Sequence, residues 1–279
     1  MANQFLVIGA SGTVGSEVVR LLREQGHKVR TTTSKKEAAG GDSVHVDLVS
    51  GAGVQQAFAG IDRAFLVSPA GYADQYAILA PLIRAAKEQG VKKLVLMSAF
   101  GADADPASPL RRSELDLEQS GLAWNIIRPN WFMQNFNSFW LHGIQTQNTI
   151  ALPVGDARTS FIDARDIAAV AAKLLVDDEW NNRAFNLTGP ESLDHAQVAG
   201  AISAASGRAV TFQDAAPAEL KHGLLGAGVN EAYADFLLLI FGYLKAGYNA
   251  AVTDDVKTIL GRAPTDIRHY AQDYRNAWA

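Results

Sequence analysis

The chain of 279 residues is long enough to bury a full core, either as one large domain or as one domain with a smaller lobe. Its 48% hydrophobic and 19% charged composition is that of an ordinary globular protein, and a net charge of −4 gives no electrostatic attraction for nucleic acid or an anionic membrane. The absence of cysteine excludes disulfides, thiol catalysis and cysteine-held zinc or iron–sulfur clusters.

Phe5-Leu6-Val7-Ile8 is a continuous apolar run, the pattern of a buried parallel strand, and Val14, Val18, Val19, Leu21 and Leu22 then recur at helical spacing. Between them, Gly9, Gly12 and Gly15 form a tight strand-to-helix turn. Their roles are a special backbone conformation, close approach to a pyrophosphate, and close packing of helix on strand. The helix start offers free N–H groups to phosphate, and Ser11 and Thr13 add hydroxyls. This is the pattern of a dinucleotide site, with Gly-x-x-Gly-x-x-Gly in place of the commoner Gly-x-Gly-x-x-Gly.

His27 to Thr33 reads as the second strand. Positions 30 to 36, at and beyond its end, contain Arg30, Lys35 and Lys36 and no carboxylate before Glu37, which favours NADP, with its 2′-phosphate, over NAD as the alternative. Ser43 to Leu48 reads as a third strand whose Asp47 is placed to accept from adenine while Leu48 covers the ring. A short helix over Val54–Phe58 leads to a fourth strand, Ile61–Val67, and to the loop Ser68-Pro69-Ala70-Gly71 at its carboxyl end, where ligands of doubly wound sheets bind. Tyr76–Ala86 has helical periodicity, with Pro81 expected to kink it or mark a second start. Lys93–Ser98 is the fifth strand, and the polar Gly101–Pro109 stretch reads as a mobile loop. Arg111–Glu118 is a helix and Ala123–Arg128 the sixth strand. Strands alternating with helices give a doubly wound parallel Rossmann sheet.

Beyond Pro129 the run Asn130 to Trp140 mixes aromatic rings with amides, which suits a pocket wall against a flat organic substrate and equally suits an amphipathic core helix. Phe100, Phe132, Asn135, Phe136 and Trp140 are the candidate substrate contacts. Ser160–Asp163 reads as a strand, Ala164–Val176 as a helix capped by Asp163, Ala184–Thr188 and Ala209–Phe212 as strands, and most of the remainder as helix. The expected division is a NAD(P)-binding domain over residues 1–130, its sheet completed by 158–188, and a smaller, mainly helical substrate lobe over 131–157 and 189–279. The apolar run Phe236–Leu244 is too short to span a bilayer, and no secretion signal is evident at the start, so a cytoplasmic location and no membrane partner are expected. Oligomeric state stays open, a homodimer being one arrangement.

None of the seven tyrosines begins a Tyr-x-x-x-Lys pair, and there is neither a Gly-x-Ser-x-Gly elbow nor a His-x-x-x-His metal pair, so no metal site is expected. Ser98 at a strand end, Arg111 on the next helix and Asn130 after the sixth strand remain as candidates for orienting or donating groups. The order of Gly9–Gly15, Leu96-Met97-Ser98, Ser120–Phe136 and Gly261-Arg262-Ala263-Pro264 resembles the NmrA-like branch of atypical short-chain dehydrogenases/reductases, and is similar to bacterial NAD(P)H quinone reductases and clavine-type ergot alkaloid reductases. The resemblance implies that Gly9, Ser11, Gly12, Thr13, Val14 and Gly15 hold the pyrophosphate, with Ser34, next to Lys35, standing where an arginine often meets the 2′-phosphate. Several relatives place a catalytic lysine on the helix that here carries Arg111 and Arg112, and arginine does not release its proton near neutral pH. That implies hydride transfer to a small aromatic or quinone-like acceptor needing no strong protein acid: a quinone, enone, iminium or dye. A dinucleotide-binding regulator without turnover is the alternative, with a sugar-nucleotide epimerase behind both.

Overall fold

The computed structural model describes residues 4–278. Strand β1 (Gln4–Val7) is covered on both faces, with Phe5, Leu6 and Val7 fully buried, so an unbroken apolar run can serve as a central strand. It is flanked by β2 (Lys28–Thr33) and β4 (Arg63–Val67), both parallel to it, with Phe5 opposite Val29 on one side and Arg63 on the other. Adding β3 (Ser43–His45), β5 (Lys93–Met97), β6 (Ala123–Pro129) and β8 (Arg183–Leu187) gives a 7-stranded sheet of order β3-β2-β1-β4-β5-β6-β8. Strand order reverses between β1 and β4, the switch point where doubly wound sheets open a crevice at their carboxyl edge.

Helices α1 (Thr13–Glu24), α2 (Val54–Phe58), α3 (Gln75–Glu88) and α4 (Pro109–Glu118) connect these strands. Asp74 caps α3 by accepting from the Ala77 N–H, and Ser108 caps α4 by accepting from that of Arg111, with Pro109 at the first helical position. Helix α3 runs through Pro81 as one element. Ile78, Leu79, Leu82 and Ile83 are buried on either side of the proline, and that packing outweighs the missing hydrogen bond.

The chain forms two compact units: residues up to Pro129 with Ile167–Asn186, and Asn130–Asp166 with Leu187 onward. Helix α6 (Ala164–Val176) passes from the second to the first. The second unit contains α5 (Leu141–Gln147), β7 (Thr149–Leu152), α7 (His195–Ser206), β9 (Thr211–Asp214), α8 (Pro217–Gly226), α9 (Glu231–Lys245), α10 (Asp255–Leu260) and α11 (Ile267–Asp273). Its core combines aliphatic side chains with aromatic rings, with Phe136, Phe161, Tyr270 and Trp278 fully buried.

Two sequence expectations differ here. Ser160–Asp163 enters no ladder; Ile162 meets Phe132 and Thr159 meets Leu193 in isolated bridges, while the Ser160 hydroxyl donates to the Ala251 carbonyl. Instead β7 pairs in parallel with β9, whose span lies two residues later than the expected Ala209–Phe212. Ile150 and Leu152 of β7 are buried and Ala151 exposed, a short alternation easily passed over.

Candidate functional site

The first unit gathers its candidate residues along one edge. Because β1 to β5 are parallel, the segments that follow them emerge together: Gly9–Gly15 after β1, Ser34-Lys35 after β2, Asp47-Leu48 after β3, Ser68-Pro69 after β4 and Ser98 after β5. Gly9 adopts φ +74°, a left-handed conformation that favours glycine, and its carbonyl accepts from the Gly12 N–H at 2.9 Å. A Cβ on Gly15 would lie 2.2 Å from that same carbonyl oxygen. Helix and strand therefore meet closely only because residue 15 has no side chain. At the start of α1, Gly12 provides no side-chain cap and the first turn holds no acid, while Ser11, Gly12 and Thr13 are exposed. The positive end of this helix is open to an anion, and the donor set of backbone N–H groups with two hydroxyls fits a pyrophosphate.

Arg30 does not belong to this edge. Its guanidinium donates to the Ala57 and Ala59 carbonyls at 2.8 and 2.7 Å, closing the C-terminal end of α2, so Lys35 and Lys36 are the exposed cations after β2. Asp47 is engaged in its own turn: it accepts from the Ser50 hydroxyl and from the Val49 and Ser50 N–H groups, which hold its carboxyl below the usual range.

Ser98 is buried with its hydroxyl unpartnered, whereas Arg111 belongs to a buried ionic cluster. Glu114, fully buried on α4, accepts from Arg128 Nε at 2.9 Å and Nη2 at 2.7 Å, and from Arg111 Nη1 at 2.8 Å. Arg128 also reaches Asp103 at 2.6 Å, and Arg111 reaches Glu118 at 2.7 Å. Burial opposes ionisation of Glu114, but hydrogen bonds from Arg128 and Arg111 outweigh it and keep the carboxyl below its ordinary value. Burial likewise pulls Arg111 down, and bonds to Glu118 and Glu114 outweigh that, raising it further from any proton-donor range. The Gly101–Pro109 loop is consequently anchored, by Asp103 to Arg128 and by the Ser108 hydroxyl to the Ala102 carbonyl. Sequence reasoning did not single out Glu114 or Arg128. The available signal is Glu114 at the i+4 position between Leu110 and Leu117, a carboxylate on an apolar helix face that needs a partner.

In the second unit, Asn130 is occupied structurally. Its amide donates to the Ser160 hydroxyl and the Asn249 carbonyl, both at 2.8 Å, and its oxygen accepts from the Asn249 amide and the Trp131 N–H. No donor or acceptor is left over for chemistry. Phe136 is fully buried, edge-on to Trp140 and Phe161, so its ring is core rather than pocket wall. Phe132, Asn135 and Trp140 of this unit, and Phe100 of the first, are half-buried. Among the described residues no His, Asp and Glu cluster could hold a metal ion, and no helix is long and apolar enough to cross a membrane.

Residues 1–242 match the NmrA-like family. The chain belongs to that family. It is 35% identical over 283 aligned positions to an NAD(P)H azoreductase of Xenophilus azovorans, covering 98% of each chain. Among solved structures it resembles an NADPH-dependent quinone oxidoreductase of Escherichia coli bound to NADPH, with TM-score 0.83 and 20% identity over 96% of this chain and 99% of the other. It also resembles the negative transcriptional regulator NmrA in complex with NAD, with TM-score 0.77 and 20% identity over 99% and 96% of the two chains. At such identities these two structures establish a shared fold. One scaffold thus serves both a reductase and a regulator.

Proposed function

We propose that this NmrA-like protein is an NAD(P)H-dependent oxidoreductase that passes a hydride to a planar, electron-poor organic acceptor such as a quinone or an azo dye. The observation that carries the reading is the unblocked start of α1 behind a turn sterically reserved for glycine, supported by full-length similarity to an azoreductase. When bound, the nicotinamide supplies the hydride. This chain's own residues bind and orient: the backbone N–H groups of Thr13 and Val14 meet the pyrophosphate, Ser34 and Lys35 meet the adenosine end, and Ser98 is the small hydroxyl closing the carboxyl edge of β5. Arg111 supplies no proton, because its guanidinium is held charged between Glu114 and Glu118. An acceptor that stabilises its own reduced anion, or takes its proton from water, matches that arrangement.

Consumption of NADPH and of NADH, followed at 340 nm across a panel of quinones, enones and azo dyes, tests the reading; turnover with a quinone or azo dye is expected, and none on any member would overturn it. The second reading is a dinucleotide-responsive regulator, favoured by the locked Arg111 and the absence of a Tyr-x-x-x-Lys pair. Tight coenzyme binding without turnover on the panel would select it.

A further inference from the structure

The ionic cluster behind Ser98 has an order that packing alone does not require. Along Glu118, Arg111, Glu114, Arg128 and Asp103 the charges alternate, through contacts of 2.7, 2.8, 2.7 and 2.6 Å. Its centre is dry and its ends are wet: the side chains are 0% exposed at Glu114, 8% at Arg128 and 44% at Asp103. A buried ion pair is a poor stability device, since apolar residues of similar volume fill such space at no greater cost. What it fixes here is geometry. Arg128 grips both oxygens of Glu114 with two of its nitrogens and spends the third on the segment after β5. Phe100 is held at the base of that segment by its N–H to the Pro129 carbonyl at 3.0 Å, and Ser108 closes the far end onto the Ala102 carbonyl. Between them Asp103 is the one ionic tie, and it is exposed to competition from salt.

We propose that Glu114 is a positioning residue, acting through Arg128 and Asp103 to set the loop between Ser98 and Ser108 against the carboxyl edge of the sheet, where it fixes how tightly an acceptor is held. This rests on the reductase reading for its kinetic consequence but not for its structural one. Asp103→Asn removes the exposed end of the chain and leaves the buried centre intact, so the variant is expected to fold. With menadione as acceptor, its KM should rise about fivefold to tenfold while kcat stays within twofold and NADPH affinity is unchanged. In the parent protein 0.5 M NaCl should raise the KM toward the variant's value, and the variant should no longer respond to salt. Amides 99–107 should exchange hydrogen for deuterium at least tenfold faster in Asp103→Asn, and faster again in Glu114→Gln, whose neutral amide cannot satisfy two guanidinium groups. Equal exchange rates in the parent and both variants would overturn the proposal even if no acceptor is turned over. A parent that reduces menadione with a KM indifferent to both Asp103→Asn and salt would overturn it while leaving the reductase reading in place. Failure of the parent to turn over any acceptor, with faster exchange in the variants, would sink the reductase reading and keep the positioning role of Glu114.

Discussion

At the scale of single residues, two side chains carry sharp expectations. Gly15 packs against the carbonyl oxygen of Gly9, and the atom a Cβ would strike is backbone, so no rotamer change relieves it. Gly15→Ala is expected to destabilise the protein by about 1–3 kcal/mol and to weaken NADPH by more than tenfold, read by thermal melts and calorimetric titration. An alanine variant with unchanged affinity would show that the turn does not approach the coenzyme. His195 is the other case. It is fully buried in a cage of Phe136, Trp140, Phe161 and Phe212, neither ring nitrogen has a hydrogen-bond partner, and burial pushes its pKa down to about 4. The unfolded chain takes up this proton near pH 6.5 and the folded one only near 4, so the stabilising effect is complete above pH 6.5 and is lost as pH falls through that window. The loss amounts to roughly 3 kcal/mol at about 1.4 kcal/mol per pH unit. His195→Leu, close in volume, should match or exceed the parent in melting temperature at pH 7 and lose the steeper part of its decline between pH 6.5 and 4. An identical acid slope in both proteins would contradict the account.

Among the elements, α6 shows how ionic groups replace packing at a helix end. Arg63 donates to the Leu175 and Val176 carbonyls at 2.8 and 3.2 Å and pairs with Asp178, while Lys93 donates to the Asp177 carbonyl at 2.6 Å. Two cations at a helix C-terminus oppose its negative dipole and satisfy carbonyls that lack intrahelical partners. Lys93 is 1% exposed, and burial lowers its pKa to about 8 despite the nearby Asp178. A depressed lysine penalises the folded state wherever it is charged. The penalty is constant below about pH 8 and disappears as pH rises toward the unfolded value of 10.5. Relative to Lys93→Met, the parent should therefore gain on the order of 2–3 kcal/mol between pH 8 and 10.5, measured by urea unfolding at each pH. Parallel stability profiles for the two proteins would mean that the Lys93 ammonium is well solvated. Only part of this element is legible in sequence. The apolar face of Ala164–Val176 and the Asp163 cap declare a helix, whereas the cations that close it lie on β4 and β5 and carry no local signal.

Across the whole molecule, legibility follows the range of the interactions. Strands β1, β4 and β5 carry short apolar runs ended by turn residues, and the glycine turn is a local constraint, so the fold class and the edge proposed for the coenzyme can be read from the chain directly. The second unit is less readable because its polar groups are satisfied by distant partners. The amides between 130 and 137 suit a pocket wall or a buried network equally well until Asn130 is seen bonded to Asn249 and Gln134 to Asp163. The same long-range logic governs which piece of the chain can stand alone. A fragment ending at Pro129 has the glycine turn and six of the sheet's strands, but it lacks residues 167–186. Without them Lys93 loses the Asp177 carbonyl, Arg63 loses Leu175, Val176 and Asp178, and the buried Asn125 amide loses the Trp180 and Arg183 carbonyls. An uncompensated buried charge costs about 3–5 kcal/mol, comparable to much of the stability of a typical domain. The fragment is expected to lack near-ultraviolet circular dichroism and a cooperative melt and to bind NADPH at least a hundredfold more weakly than the full chain. Appending residues 164–188 through a flexible linker should restore all three properties. A cooperatively melting fragment with native coenzyme affinity would show instead that the first 129 residues close their own core, and that the ties to α6 and β8 are dispensable.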